Sequence, residues 1–276
     1  MVDLIQAPLF VPANRPDRFS KAAASQADAI ILDLEDAVSA QDKDTARAAL
    51  TCGFTDKAVI VRINGIGTPW HSQDVEAIGN LPVSAVMLPK SEDAHAISAL
   101  YASLGHRVPV IALIETAKGL ANVRLIAELD GVVRLAFGSI DYCADLGCAH
   151  QREVLLPVRS ELVLASRLAE IAAPIDGVTA QLHDAETLRE DTKHARSLGM
   201  TAKLCIHPTQ VLEVRQAFAP TKEELSWAQR VLGSGDGAVS VDGQMIDEPV
   251  RIRARSILAS ASEPVPSNLS RDTDLS

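Results

Sequence analysis

Residues 109–141, PVIALIETAKGLANVRLIAELDGVVRLAFGSID, decide the fold. Two apolar runs rich in β-branched residues, Val110–Ile114 and Val132–Phe137, each lead to a carboxylate: Glu115 after the first, and Asp141 just past a Gly-Ser turn after the second. A continuous apolar run closed by a polar residue suits a strand buried on both faces, as in a parallel sheet. The intervening Thr116–Leu129 places Ala117, Leu120, Ala121, Val123, Leu125 and Ile126 so as to predict one helix with a single apolar face. A strand–helix–strand unit of this kind crosses over right-handed and brings both strand C-termini to one edge of the sheet. Two acids meeting there suit a hard divalent cation such as Mg²⁺, which takes one or two carboxylates and keeps waters. Spacing alone leaves open a second reading, two unrelated surface carboxylates at loop starts.

Outward from this unit, the same pattern recurs. Strands are predicted at Ala7–Ala13, Ala29–Glu35, Ala58–Asn64, Ala85–Lys90, Pro109–Glu115, Val132–Gly138, Ile175–Ala180 and Thr201–His207. Helical segments between them are predicted at Arg15–Ser25, Lys43–Leu50, Ser72–Ile78, Ser91–Leu104, Thr116–Leu129, Arg152–Ile171 and Ala185–Leu198. Eight βα units predict an α/β fold of the TIM (β/α)8 barrel type rather than an open doubly wound sheet. PANRPDRF follows the first strand, where a dinucleotide-binding fold would carry a glycine-rich turn. Beyond Val214 the pattern changes to a helix at Lys222–Leu232, a turn-rich stretch with a short strand at Ala238–Val241, and a last helix at Glu248–Ala261. The expected organisation is a barrel catalytic domain over 1–215, a C-terminal helical and hairpin appendage over 216–263 serving as lid or oligomerisation element, and a disordered tail over 264–276.

Composition narrows the function classes. The net charge of −10 over 276 residues disfavours nonspecific binding to nucleic acid or to an anionic membrane. No apolar run approaches the ~20 residues of a membrane span. The opening MVDLIQAPLF lacks the basic and long apolar regions of a secretory signal. The four cysteines, Cys52, Cys143, Cys148 and Cys205, form no CxxC pair and read as free thiols of a cytoplasmic protein.

In a parallel barrel, chemistry sits at the C-terminal ends of the strands, and polar residues collect at those positions. Arg62, in VIVRING, is costly in an apolar strand unless paired. It is read either as a structural ion pair or as a guanidinium fork facing a carboxylate or enolate oxygen. Asp33, Glu35 and Asp36 lie in ILDLEDAV, with Asp33 and Glu35 on one face, placed to pair with Arg62 or to order metal-bound waters. Arg15, Arg18 and Lys21 follow the first strand at an expected helix start, which suits phosphate as well as a plain solvated face. Lys90 is a similar case. His207 reads as a hydrogen-bonded structural residue.

The segments LFVPANRPDRFSKA, ILDLEDAV, VRING, LPKSE, IALIETAKGL, LAFGSIDYCADLG and AKLCIHPTQ, with GQMIDEPV near the end, occur in the order found in citrate lyase beta-subunit-like proteins. The chain resembles that part of the HpcH/HpaI aldolase group over roughly residues 7–260. The resemblance implies a Mg²⁺-dependent carbon–carbon lyase acting on a 3-hydroxyacyl thioester such as citryl-, malyl- or citramalyl-CoA. It also implies Glu115 and Asp141 as metal ligands, Arg62 as the substrate-binding arginine, and Phe10 and Lys21, with Arg18 close by, as contacts to the CoA moiety. Asp247, in MIDEP, falls on an acid/base aspartate that some relatives supply from a neighbouring subunit of a homotrimer by exchange of the C-terminal segment. Ala13 departs from the glycine that commonly follows the first-strand VP. Two other functions remain: an aldolase cleaving free 4-hydroxy-2-oxo acids, and a carrier-protein-dependent lyase subunit without turnover of its own.

Overall fold

The computed structural model describes residues 2–182, 184–235, 239–241 and 243–261. Eight parallel strands form one sheet in sequence order: β1 (Leu9–Pro12), β2 (Ala29–Asp33), β3 (Ala58–Arg62), β4 (Ala85–Leu88), β5 (Val110–Ile114), β6 (Val132–Phe137), β7 (Ala172–Asp176) and β8 (Ala202–Lys203). The sheet curls until its edges meet. Lys203 N donates to Gln6 O, Cys205 N to Pro8 O and Phe10 N to Cys205 O, each at 2.9 Å, so the segment after β8 pairs in parallel with β1. This is the TIM-type (β/α)8 architecture expected from the alternating pattern.

The helices that return the chain are α1 (Phe19–Ala23), α2 (Lys43–Ala48), α3 (His71–Ile78), α4 (Ala94–Ser103), α5 (Ala117–Ala121), α6 (Val123–Ala127), α7 (Ser139–Leu146), α8 (Arg152–Leu168) and α9 (Ala185–Ser197). Three further helices follow: α10 (Pro208–Phe218), α11 (Lys222–Gly233) and α12 (Glu248–Ala261). No helix among the described residues is long and apolar enough to cross a membrane.

Three local readings are corrected. The single helix expected over Thr116–Leu129 is two short ones, parted at Asn122, whose backbone departs from helical dihedrals (φ −102°, ψ 4°) while its Nδ2 donates to Glu92 O at 2.8 Å. The seventh strand begins at Ala172 and ends at Asp176 rather than spanning Ile175–Ala180. Pro174 lies inside the observed strand. The register between β6 and β7 slips here, with Arg134 opposite Ala172 but Ala136 opposite Ile175. A proline that cannot donate is tolerated at such an irregularity. Finally, Asp141, expected just past a Gly-Ser turn, lies in the first turn of a helix that the sequence reading did not predict, α7.

The barrel interior is filled, not hollow. Ile31, Ile60, Met87, Leu113, Ala136, Ile175 and Leu204 meet in one buried cluster, with Phe10 packed against it. At the N-terminal end, the fully buried Arg134 donates to the carbonyls of Val2, Ile5 and Ala173 and to Thr201 Oγ1, at 2.7–2.9 Å. Four acceptors offset the cost of burying this guanidinium.

The chain divides into two compact units, Met1–Val214 and Arg215–Ser276, with the boundary inside α10. In the second unit, α11 and α12 pack with an antiparallel hairpin of β9 (Val239–Val241) and β10 (Gln244–Ile246). Its core is Ala228, Val231, Ile246, Ala254 and Ile257. A Thr221–Glu224 capping box starts α11. Ala238, the expected first residue of the hairpin strand, and the tail 264–276 lie outside the described residues.

Candidate active site

Strand parity builds the site. On β2, β3 and β5 the inward series Ala29–Ile31, Ala58–Ile60 and Ile111–Leu113 continue, two residues on, to Asp33, Arg62 and Glu115. The sheet therefore points these three side chains into the C-terminal end of the barrel. They line a cavity of about 510 Å³ together with Phe10, Asp36, Ser139 and Asp141.

Arg62 is 9% exposed and surrounded by acids. Its Nε and one terminal nitrogen donate to the two oxygens of Asp33, both at 2.7 Å, in a bidentate fork. The other terminal nitrogen stands 3.0 Å from Glu35 Oε2 and 3.5 Å from the exposed Asp36. Burial opposes its charge, but Asp33, Glu35 and Asp36 outweigh burial and raise its pKa above the ordinary value. The Arg62 guanidinium also sits 4.9 Å over the ring of Phe10. The fork of Arg62 is taken by Asp33, as the structural ion-pair reading expected, while the residue also lines the cavity.

Glu115 is 1% exposed. Its Oε1 accepts the Lys90 backbone N–H at 2.8 Å, while Oε2 is buried with no hydrogen-bond partner. Burial raises its pKa to about 8, with the nearby Glu35 and Asp141 carboxylates adding to the effect and the Lys90 N–H opposing it. A buried carboxylate oxygen without a donor, beside a second carboxylate, fits a hard cation. Among the described residues no cluster of three or more His, Cys, Asp or Glu forms a closed metal cage. A two-carboxylate donor set suits magnesium, which retains waters and substrate oxygens.

Several contributors had no clear signal in the sequence. Lys90 adopts a left-handed backbone, φ 46°, which aims its N–H at Glu115 while its Nζ reaches Glu35 Oε1 at 2.9 Å. Lys43, buried, donates to Leu34 O, Glu35 O and Asn64 Oδ1, each at 2.7 Å, and fixes the turn carrying Glu35. Ser139 Oγ lies 2.9 Å from His150 Nε2. Lys90 was recognisable by its strand-end position; Lys43 and His150 resemble any surface residue of a helix or loop.

A second cavity of about 640 Å³ shares Phe10, Pro12 and Ile206 with the first and is lined by Arg18, Lys21, His207 and Thr209. Arg15 is tied to Asp17 through two hydrogen bonds. Arg18 and Lys21 form no ion pair among the described residues. Ala13 is buried and does not take a positive φ, so its turn does not call for glycine. Asp247 belongs to the second unit. It is exposed, and its Oδ1 accepts from Val250 N at 3.2 Å, capping α12.

The fold and this cavity define an α/β-barrel enzyme with an acid-rich, arginine-bearing centre at the C-terminal ends of its strands. Residues 6–208 match the HpcH/HpaI aldolase/citrate lyase family. The chain is 41% identical over 267 residues to the citrate lyase subunit beta-like protein of Mycobacterium tuberculosis, covering 92% of this chain and 95% of that protein. It is 32% identical over 269 residues to a (3S)-malyl-CoA thioesterase of Cereibacter sphaeroides, covering 92% and 93%. A crystal structure of CitE from M. tuberculosis in complex with magnesium, acetoacetate and coenzyme A superposes with a TM-score of 0.85 at 38% identity, covering 95% of this chain and all of that one. The chain belongs to the HpcH/HpaI aldolase/citrate lyase family and is a lyase by class.

Proposed function

We propose that the protein is a Mg²⁺-dependent carbon–carbon lyase that cleaves, or forms, a 3-hydroxyacyl thioester such as citryl-, malyl- or citramalyl-CoA, with an acyl thioester and an α-keto acid on the other side of the reaction. The observation that carries this reading is the buried, partnerless Glu115 Oε2 facing the cavity that Asp141 and Arg62 also line. The magnesium, coenzyme A and acetoacetate held by the CitE neighbour support it.

In this reading Glu115 and Asp141 hold the cation, which supplies Lewis acidity toward the hydroxyl and carboxylate oxygens of the keto-acid half. Arg62 stabilises negative charge on the thioester enolate oxygen. Its clamp on Asp33 keeps it oriented, so little reorganisation is needed as charge develops. Glu35 and Asp36 hold the remaining edge of Arg62 and order water near the cation. Phe10, which lines both cavities, contacts the CoA moiety, and Arg18 and Lys21 receive the phosphates of CoA or of an acyl-carrier prosthetic group. Asp247 takes the hydroxyl proton in cleavage, or the acetyl proton in condensation. It is delivered from the second unit of an adjacent subunit in a homotrimer. Unbridged cysteines support work in the reducing cytoplasm.

The test is to incubate the purified protein with Mg²⁺ and a panel of CoA thioesters, then separate products by chromatography. Release of an α-keto acid and an acyl-CoA supports the proposal. Cleavage of free 4-hydroxy-2-oxo acids in preference to thioesters would replace it with the aldolase reading. Turnover that requires an added carrier protein would assign the chain as a lyase subunit.

A further inference from the structure

Two cysteines are joined through the cap at the far end of the helix that carries Asp141. Helix α7 ends in Gly147, which takes the left-handed conformation with φ 67°, and Cys148 N then donates back to Cys143 O at 3.1 Å. This is the closing pattern in which the second residue past a helix end folds onto the residue three places before its cap, bringing the two side chains into contact. Here both of those side chains are thiols. Cys143 is buried and Cys148 half-buried. A C-x4-C spacing does not advertise this in sequence; only the helix cap makes the two neighbours. The other two cysteines are placed apart: Cys205 is buried in the seam that closes the barrel, and Cys52 lies in the loop before β3.

We propose that Cys143 and Cys148 are an oxidative modification site at which a small peroxide converts the pair reversibly to a disulfide. Cys148, the more accessible thiol, attacks the peroxide as its thiolate. The O–O bond breaks, one oxygen stays on sulfur as the sulfenic acid, and the other leaves as water once protonated. The Cys143 thiol then attacks the Cys148 sulfur, an S–S bond forms, and the sulfenic oxygen leaves as a second water. Two thiols lose one electron each, and the peroxide gains both. Cys143 is the more buried of the two, so peroxide reaches it less readily and it acts as the resolving partner. The benefit is chemical: a thiol on the site-bearing helix is held in a state that thiols can reduce, instead of advancing to the irreversible sulfinic acid.

The experiment exposes the full-length protein to hydrogen peroxide at a dose that fully oxidises free cysteine, then titrates thiols in denaturant and maps tryptic peptides without reduction. The wild type is expected to fall from four titratable thiols to two and to regain all four with dithiothreitol. The peptide 135–152, which contains both cysteines, is expected to carry the disulfide. Cys148→Ser should keep its three thiols under the same dose, and Cys143→Ser should yield a sulfenic acid at Cys148 that dimedone traps. The proposal is overturned if the wild type keeps four thiols, if the loss resists dithiothreitol, or if the disulfide involves Cys52 or Cys205.

Discussion

Gly138 and Glu115 compete for one space. A β-carbon on Gly138 would stand 2.5 Å from Glu115 Cβ and closer still to Oε2. Gly138 precedes α7, and its N–H donates to Ile114 O at 2.9 Å, so the backbone has no room to retreat. The glycine between β6 and α7 is therefore what lets the Glu115 carboxylate stand beside Asp141.

Gly138→Ala is expected to displace that carboxylate. Overpacking of this kind costs about 1–3 kcal/mol of stability. Loss of ligand alignment should weaken Mg²⁺ binding by roughly 10–100-fold. Denaturant unfolding and calorimetric Mg²⁺ titration check the two effects separately. Unchanged magnesium affinity in a folded variant would take Glu115 out of the metal site.

Arg62→Lys keeps the charge but not the fork. A single ammonium cannot hold both Asp33 oxygens and still stabilise substrate charge. Turnover is expected to fall by an amount on the order of 2–4 kcal/mol in transition-state stabilisation, as when an oxyanion donor is lost. Steady-state kinetics with a thioester that the wild type turns over reads this. Near-normal kcat in the variant would make Arg62 a purely structural ion pair.

The buried state of Glu115 predicts a pH dependence with a definite sign. Its native pKa of about 8 lies above the ordinary 4.5, chiefly through burial. The native state thus binds this proton more tightly than the unfolded chain does. The resulting stabilisation is complete below about pH 4.5 and is lost as pH rises toward about 8. Metal-free wild type should lose melting temperature across that window relative to Glu115→Gln. Magnesium should remove the difference, with affinity rising about tenfold per pH unit below about pH 8 as the proton is displaced. Parallel melting curves for the two proteins at every pH would contradict the assignment.

Asp247→Asn separates two roles of one side chain. The amide can still accept from Val250 N and cap α12, so unit structure and oligomer mass should be retained. It cannot take a proton, so turnover should fall by about 10²–10⁴-fold. Mass measurement in solution and kinetics on the same sample decide it. Full activity would leave Asp247 as a cap, and a monomeric wild type would remove delivery from a neighbouring subunit.

What was legible in the sequence follows from period and place. The apolar runs leading to Asp33, Arg62 and Glu115 announce buried parallel strands, and strand-end position marks the three as candidates, while their shared inward direction follows only from the strand register. What was hidden depends on backbone detail or distant pairing. Asn122 parts two helices while its side chain reaches a carbonyl thirty residues away, at Glu92. Pro174 sits inside a strand because the β6–β7 register slips around it. The Lys90 contribution rests on a left-handed backbone that lysine rarely adopts. Cys143 and Cys148 become neighbours only through the cap of α7.

The Arg134 floor makes the barrel a cup rather than a tube. The N-terminal end is closed by a guanidinium tied to four acceptors and the interior is filled with aliphatic side chains, so among the described residues the site opens at the C-terminal end of the barrel. Under the proposed thioester reading, run in the condensing direction, a small acid seated beside Glu115 and Asp141 enters ahead of the bulkier carrier arm and leaves after it: the first molecule in is the last one out.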